Sequence, residues 1–169
     1  MDAALWIYIG RFQPFHNGHK SIVDAMIQEN NDNLIFIGIT LSDDWKNPYS
    51  FEERRDFLKS EFWEEIIIEA LLDNPSDQEW IRSILFSHEV KDKKNLKIYC
   101  WDKEHDSAIK VIQEYIHLFE DKKIEIIEID RRLLPISGTQ IRHEIQEEWI
   151  KSIENLVPSE VYKALKKTG

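Results

Sequence analysis

The chain of 169 residues holds a single cysteine, Cys100. No disulfide can form within it, and that usage suits a reducing compartment. Glycine and proline number five each, and no stretch gathers them into a linker or low-complexity tract. Positive charge is also scarce. Twenty-two basic residues face 32 acidic ones, for a net charge of -10, which argues against a broad nucleic-acid or membrane footprint. No apolar run approaches the roughly 20 residues needed to span a bilayer. The opening Met1-Asp2-Ala3-Ala4 lacks the basic region of a secretory signal, so a cytoplasmic location is expected. No internal repeat is present. Aromatic residues, by contrast, are plentiful: six Trp and eight Phe within a 42% hydrophobic chain. That content fills one domain, 1–169, and is too little for two ordinary ones.

What the chain does have is the stretch Gly10-Arg11-Phe12-Gln13-Pro14-Phe15-His16-Asn17-Gly18-His19. It follows the apolar run Leu5-Trp6-Ile7-Tyr8-Ile9 and precedes Ile22, Val23, Met26 and Ile27 at helical spacing. Strand, tight loop and helix follow in that order. The first N–H groups of a helix have no partner within it and carry the positive end of its dipole, which makes a site for phosphate. Two imidazoles at such a turn could stabilise charge developing on a polyphosphate. Gly18 would let the backbone approach a ligand closely. An anionic ligand would need local cations against the unfavourable net charge; Arg11, Lys20, Lys46 and Arg142 are the candidates.

The rest of the chain alternates. Leu34 to Thr40 is a continuous apolar run typical of a strand buried on both faces. Ser50 with Glu53 reads as a capping box opening a helix through Phe57 and Leu58. Ile66 to Leu72 could extend that helix, but its triple isoleucine favours a strand. Asp77 could cap a helix holding Trp80, Ile81, Ile84 and Leu85. Leu96 to Trp101 reads as strand four, Asp106 as the cap of a helix through Ile109, Ile112 and Ile116, and Ile124 to Ile129 as strand five. Alternating strands and helices imply an α/β fold with a parallel five-stranded sheet and right-handed crossovers. Ligands bind such sheets beyond the carboxyl ends of the strands, where strand order reverses. If strands one and four are neighbours, the histidine loop faces Trp101-Asp102-Lys103 across that crevice.

A second anion-ready helix start follows strand five and the basic pair Arg131-Arg132, in Pro135-Ile136-Ser137-Gly138-Thr139-Gln140-Ile141-Arg142. Ser137 or Thr139 can cap the helix, Gly138 keeps the turn open, and Arg142 lies about one turn in. The planar guanidinium suits phosphate oxygens. Alone, this segment would be an ordinary cap followed by a surface arginine; beside the histidine loop it reads as the second half of a phosphate site.

The two segments resemble the HxGH and ISSTxxR motifs of the nucleotidyltransferase superfamily. The form of the first is most similar to the archaeal-type nicotinamide mononucleotide (NMN) adenylyltransferases, a group that includes the adenylyltransferase halves of bacterial enzymes fused to a Nudix hydrolase. Lys46-Asn47-Pro48-Tyr49-Ser50-Phe51-Glu52-Glu53-Arg54 and Leu156-Val157-Pro158-Ser159 resemble further segments of that family, so the likeness spans nearly the whole chain. It implies a Rossmann-like fold with a C-terminal helical segment, and the reaction ATP + NMN → NAD + pyrophosphate with Mg²⁺. His16 would contact the α-phosphate and His19 the triphosphate near the leaving group. Arg11, Lys46 and Arg142 would neutralise phosphates, with Gly10, Phe12, Gly18, Ser137, Gly138 and Thr139 completing the nucleotide site. Trp80 occupies the place of a tryptophan that stacks on nicotinamide in the family. Asp77 stands where the family usually has an asparagine bonded to the carboxamide. After strand four the family carries glycine where this chain has Cys100 or Trp101. These departures keep a second acceptor class open, a phosphopantetheine or a sugar or polyol phosphate, with ATP or CTP as donor. A nucleotide-sensing domain without catalysis is the reading from another class. The family often forms dimers or hexamers, and nothing in this sequence selects a homo-oligomer of any size. A metal site made by His16 and His19 ranks below phosphate binding, because no nearby motif completes a ligand shell. Arg54 and Arg55 read as surface or helix-packing residues, and Cys100 as a small buried one.

Overall fold

The computed structural model describes residues 4–40, 47–129, 137–146 and 150–168. Five parallel strands, β1 (Leu5–Gly10), β2 (Asn33–Ile39), β3 (Ile67–Leu72), β4 (Asn95–Cys100) and β5 (Lys123–Glu128), lie in the order β3-β2-β1-β4-β5. Between and after them run helices α1 (Asn17–Glu29), α2 (Phe51–Phe62), α3 (Asp77–Leu85), α4 (Ser107–Glu114), α5 (Gly138–Gln146) and α6 (Ser159–Thr168). The alternation read in the sequence is thus the architecture, and the isoleucine-rich segment after α2 is a strand.

The period of two along the central strands divides the core between the faces of the sheet. Trp6, Tyr8, Ile35 and Ile37 point to one face, where Ile22, Val23 and Met26 of α1, Phe57 and Leu58 of α2, Ile141 of α5 and Val161 and Leu165 of α6 cover them. Leu5, Ile7, Leu34 and Phe36 point to the other, against Ile81 and Ile84 of α3 and Ile109 and Ile112 of α4. Full burial of each such side chain contributes about 1.5–3 kcal/mol. Both faces of β1 and β2 are therefore apolar, which is why these strands read as continuous hydrophobic runs.

Caps fix where the helices start. Ser50 and Glu53 form the expected capping box, and the Asp106 carboxylate accepts from Ile109 N–H at 3.1 Å. Ser137 Oγ accepts from Gln140 N–H at 3.1 Å, settling the choice between it and Thr139. One cap differs: Ser76, not Asp77, caps α3, its hydroxyl accepting from Glu79 N–H at 3.3 Å. Asp77 is the first helical residue, where an acidic group suits the helix dipole. α4 ends at Glu114, and Ile116 belongs to a separate 3₁₀ turn, Ile116–Phe119. Among the described residues no helix is long and apolar enough to cross a membrane.

β1 pairs with β2 on one side and β4 on the other. The chain winds outward from β1 through β3, then crosses back to β4, so strand order reverses between β1 and β4. The loops leaving these two strands carry the histidines and Trp101, and they meet at that switch point.

Candidate active site

His16 caps α1 with its own ring: Nδ1 accepts from Gly18 N–H at 3.0 Å and His19 N–H at 3.3 Å. His19 answers from the third helical position, its Nδ1 accepting from His16 N–H at 3.2 Å. This is a capping box built from two imidazoles. A ring that accepts at Nδ1 carries its proton on Nε2 when neutral. The box therefore aligns two neutral imidazoles as Nε2–H donors, stacked with centroids 3.6 Å apart and planes 18° from parallel. Burial, followed by the neighbouring His16, holds the pKa of His19 well below its ordinary value. Two charged imidazoles in face-to-face contact would repel, and the geometry avoids it.

Aromatic groups hold this pair. The Phe12 ring meets His19 edge-on at 4.8 Å, and Phe15 lies nearly parallel to His19 at 5.8 Å. Phe12 has φ of 54°, a region costly for a bulky side chain, and such strain persists only where the surroundings enforce it. The ring passes so close to Gly10 that a Cβ there would lie 2.6 Å from it. From the end of β4, the Trp101 indole lies across both imidazoles, at 5.8 Å from His16 and 6.0 Å from His19. A Cβ on Gly18 would come within 2.3 Å of the indole. Gly18 is thus needed here because Trp101 packs on its backbone. Between the His19 ring and this indole, His16 is only 1% exposed. Cys100, just before, is buried, and burial pushes its thiol up to about 11.

α5 joins the site through Arg142. Its Nη1 donates to the Gln13 carbonyl at 2.6 Å and its Nη2 to Thr139 Oγ1 at 3.1 Å. Gly138 lies under this bridge, where a Cβ would sit 3.1 Å from Arg142 Nη1 and 3.3 Å from the Gln13 oxygen. The two motifs, more than 100 residues apart in sequence, are in direct contact. Gln13 also exchanges two hydrogen bonds with the Tyr49 backbone, at 3.0 and 2.9 Å, so the loop before α2 is fastened to the same place.

On the other side of Gly10 opens a cleft of about 560 Å³. Arg11, Asp73, Asp77, Trp80, His105 and Asp106 are among its walls, a volume in the range of small-ligand sites. Arg11 Nη2 pairs with Asp73 at 2.9 Å, and half-buried Trp80 forms part of the wall with exposed Asp77 beside it. The described lining of this cleft does not include His16 or His19; Gly10 and Arg11 stand between the two regions. Lys46, Arg131, Arg132, Pro135 and Ile136 lie outside the described residues.

Arg54, read from the sequence as a surface or helix-packing residue, is of the packing kind. It is 3% exposed, and donates to the carbonyls of Arg11 at 2.9 Å, Gly38 at 2.6 Å and Ser50 at 3.1 Å. Burial, then the Arg11 guanidinium, lower its pKa. This guanidinium ties the ends of β1 and β2 to the start of α2. The sequence signal was the glutamate-arginine pair after the capping box, which the family likeness had already touched.

Comparison with known proteins agrees with this architecture. Residues 7–144 match the family model described as cytidylyltransferase-like. A nicotinamide-nucleotide adenylyltransferase of Methanocorpusculum labreanum is 45% identical over 49 residues, 28% of this chain and 29% of that protein. A nicotinamide/nicotinic acid mononucleotide adenylyltransferase of Acinetobacter baylyi is 25% identical over 168 residues, covering 94% of this chain and 89% of that one. A bifunctional NMN adenylyltransferase/ADP ribose pyrophosphatase of Francisella tularensis superposes with a TM-score of 0.71 at 23% identity, over 99% of this chain. That protein has also been solved with AMP and an Mn ion. This chain spans about half its length, 49%, and at that identity the likeness is one of fold, the Rossmann-like nucleotidyltransferase fold. With the family model covering both helix starts and strands β2 to β5 between them, the chain belongs to the cytidylyltransferase-like family.

Proposed function

We propose that the protein is an NMN adenylyltransferase that joins ATP and NMN into NAD and pyrophosphate. The observation that carries this reading is the contact of the two helix starts, α1 with its paired imidazoles and α5 with Arg142, at the switch point of the sheet. The names of the archaeal and Acinetobacter relatives support the choice of acceptor. The cleft beyond Gly10 supplies the room for it.

The chemistry asks little of the protein covalently. A phosphate oxygen of NMN attacks the α-phosphorus of ATP, a P–O–P bond forms, and the bond to the bridging oxygen of the β-phosphate breaks to release pyrophosphate. The nucleophile is already an anion at neutral pH, so no general base is required. Rate enhancement then rests on positioning and on donors aimed at the charge that develops. In this reading His16 Nε2–H meets the α-phosphate, His19 Nε2–H meets the triphosphate near the leaving oxygen, and Arg142 neutralises that charge. Arg11 and Lys46 would neutralise further phosphate charge, with Gly10, Phe12, Gly18, Ser137, Gly138 and Thr139 shaping the nucleotide site. Trp80 would stack on the pyridine ring and Asp77 would stand beside its amide.

The groups at the α1 terminus are imidazoles and N–H donors, which suit phosphate. Among the described residues no group of three or more His, Cys, Asp or Glu could hold a metal ion. A divalent ion such as Mg²⁺ therefore fits as a partner of the triphosphate oxygens, its usual habit, where it would neutralise charge on the departing pyrophosphate. The buried, lone Cys100 suits the cytoplasm as the compartment.

An acceptor screen tests the proposal: ATP or CTP with NMN, phosphopantetheine or sugar and polyol phosphates, read by pyrophosphate release. NMN with ATP is expected to turn over. Turnover of another phosphate with NMN left untouched would overturn it.

A further inference from the structure

β3 ends the sheet on one side, and among the described residues no strand pairs with its outer edge. Such an edge offers a row of backbone N–H and C=O groups to any strand that comes beside it, and proteins usually blunt it with lysine, proline or a bulge. β3 carries none of the three. It runs in unbroken register along β2 from Ile67 to Leu72. Residues 66–72 hold one charge, Glu69, in a chain that is 32% charged. That carboxylate is itself engaged by the Ser87 hydroxyl.

Apolar surface gathers at the same place. Of the large apolar side chains exposed among the described residues, Trp63, Ile67, Leu72 and Phe86 lie on β3 or beside it, and Ile116 alone lies elsewhere. Trp63 leads into the strand with φ of 48°, a region costly for a bulky residue, yet its ring is 76% exposed. Phe86, 75% exposed, directly precedes the serine bonded to Glu69. By the usual size of aromatic side chains these two rings alone present roughly 220–380 Å². Two copies of the patch, with Ile67, Leu72 and paired backbone added, reach the roughly 1,000 Å² that a specific interface needs.

The edge is also complementary to itself. Asp73 N–H donates to the Ile39 carbonyl at 2.7 Å, toward β2. By strand alternation, the backbone groups of Ile68, Ala70 and Leu72 point the other way, off the sheet. We propose that β3 is the interface with a second copy of this chain, joined edge to edge in antiparallel fashion about a two-fold axis at Ala70. In this register Ala70 faces Ala70 and each Leu72 faces Ile68 of the second copy, every pair exchanging both N–H···O bonds. It pairs the whole strand, sets the smallest side chain on the axis, and covers exposed Leu72 with an isoleucine.

Sedimentation of the purified full chain across a concentration series tests the proposal, and a species of twice the chain mass is expected. Ala70→Lys would set two ammonium groups against each other at the axis and is expected to raise the dimer Kd by on the order of 100-fold. Ala70→Cys is expected to form an intermolecular disulfide under mild oxidation, because facing Cα atoms of such a pair are about 5.5 Å apart. Leu72→Cys is not, since its two copies stand more than about 13 Å apart along the pair. A monomer at every concentration would overturn the proposal and leave the edge to a strand of a different protein. A dimer indifferent to Ala70→Lys, or one that crosslinks as readily through Leu72→Cys, would also overturn it. The wild-type mass and the crosslinks decide the matter should Ala70→Lys fail to fold. Association is read without substrate, so the outcome is independent of the activity.

Discussion

His19 works as a neutral ring. Its Nδ1 accepts from the backbone, and burial with a stacked imidazole neighbour disfavours a second proton. In the unfolded chain the same side chain titrates near its ordinary value of about 6.5. The unfolded state thus binds more protons as pH falls below that value, and stability declines from there toward the depressed folded pKa. For this group, thermal stability is expected to be flat above about pH 7 and to fall below about pH 6.5. His19→Asn, whose side-chain oxygen can accept the same N–H, should flatten the fall when Tm is followed against pH. In turnover, His19→Ala and Arg142→Ala are each expected to lower kcat by on the order of 100-fold, the scale of one lost transition-state contact. Near-normal turnover by either would detach that residue from the phosphate site. Gly18 is a third case. Its Cβ would strike Trp101, so Gly18→Ala should cost about 1–3 kcal/mol by overpacking. In a Trp101→Gly background the cost should be smaller, what remains being the contact of the same Cβ with His16 Cε1 at 2.8 Å, offset by the better helix propensity of alanine. Calorimetric Tm values for the four proteins give the cycle. An equal cost in both backgrounds would mean that Gly18 answers to something other than the indole.

The helices and strands were more legible than the contacts between them. Ser50 with Glu53, Asp106 and Ser137 announce helix starts because a short polar side chain three residues ahead of a free N–H is a local device. Ser76 and Asp77 are adjacent and equally able to cap, so sequence alone could not place that start to the residue. Arg54 was left between surface and packing for a different reason. A long charged side chain in an amphipathic helix reads as surface, and its partners are carbonyls of Arg11, Gly38 and Ser50, two of them supplied by other elements. Removing it leaves buried acceptors unsatisfied. Arg54→Met is expected to destabilise the protein by at least about 2 kcal/mol, read as a lower denaturant midpoint with unchanged m-value. Its effect on activity should follow from the displaced Gly10–Phe12 loop. A variant as stable as wild type would show that the brace is dispensable.

For the molecule as a whole, the alternation of strands and helices was readable because the central strands β1 and β2 are apolar on both faces and the helices on one. The strand order was not, since pairing of β1 with β4 is a matter of how crossovers pack and not of local pattern. That order is what gives the two helix starts a common edge, and what sets Trp101 over a glycine more than 80 residues away in sequence. At this edge an adenylyl group is expected to pass from ATP to NMN. Purified protein incubated with ATP, NMN and Mg²⁺, with products separated by chromatography, tests it most directly. NAD and pyrophosphate appearing one for one is the predicted result; ATP and NMN remaining unjoined would contradict it.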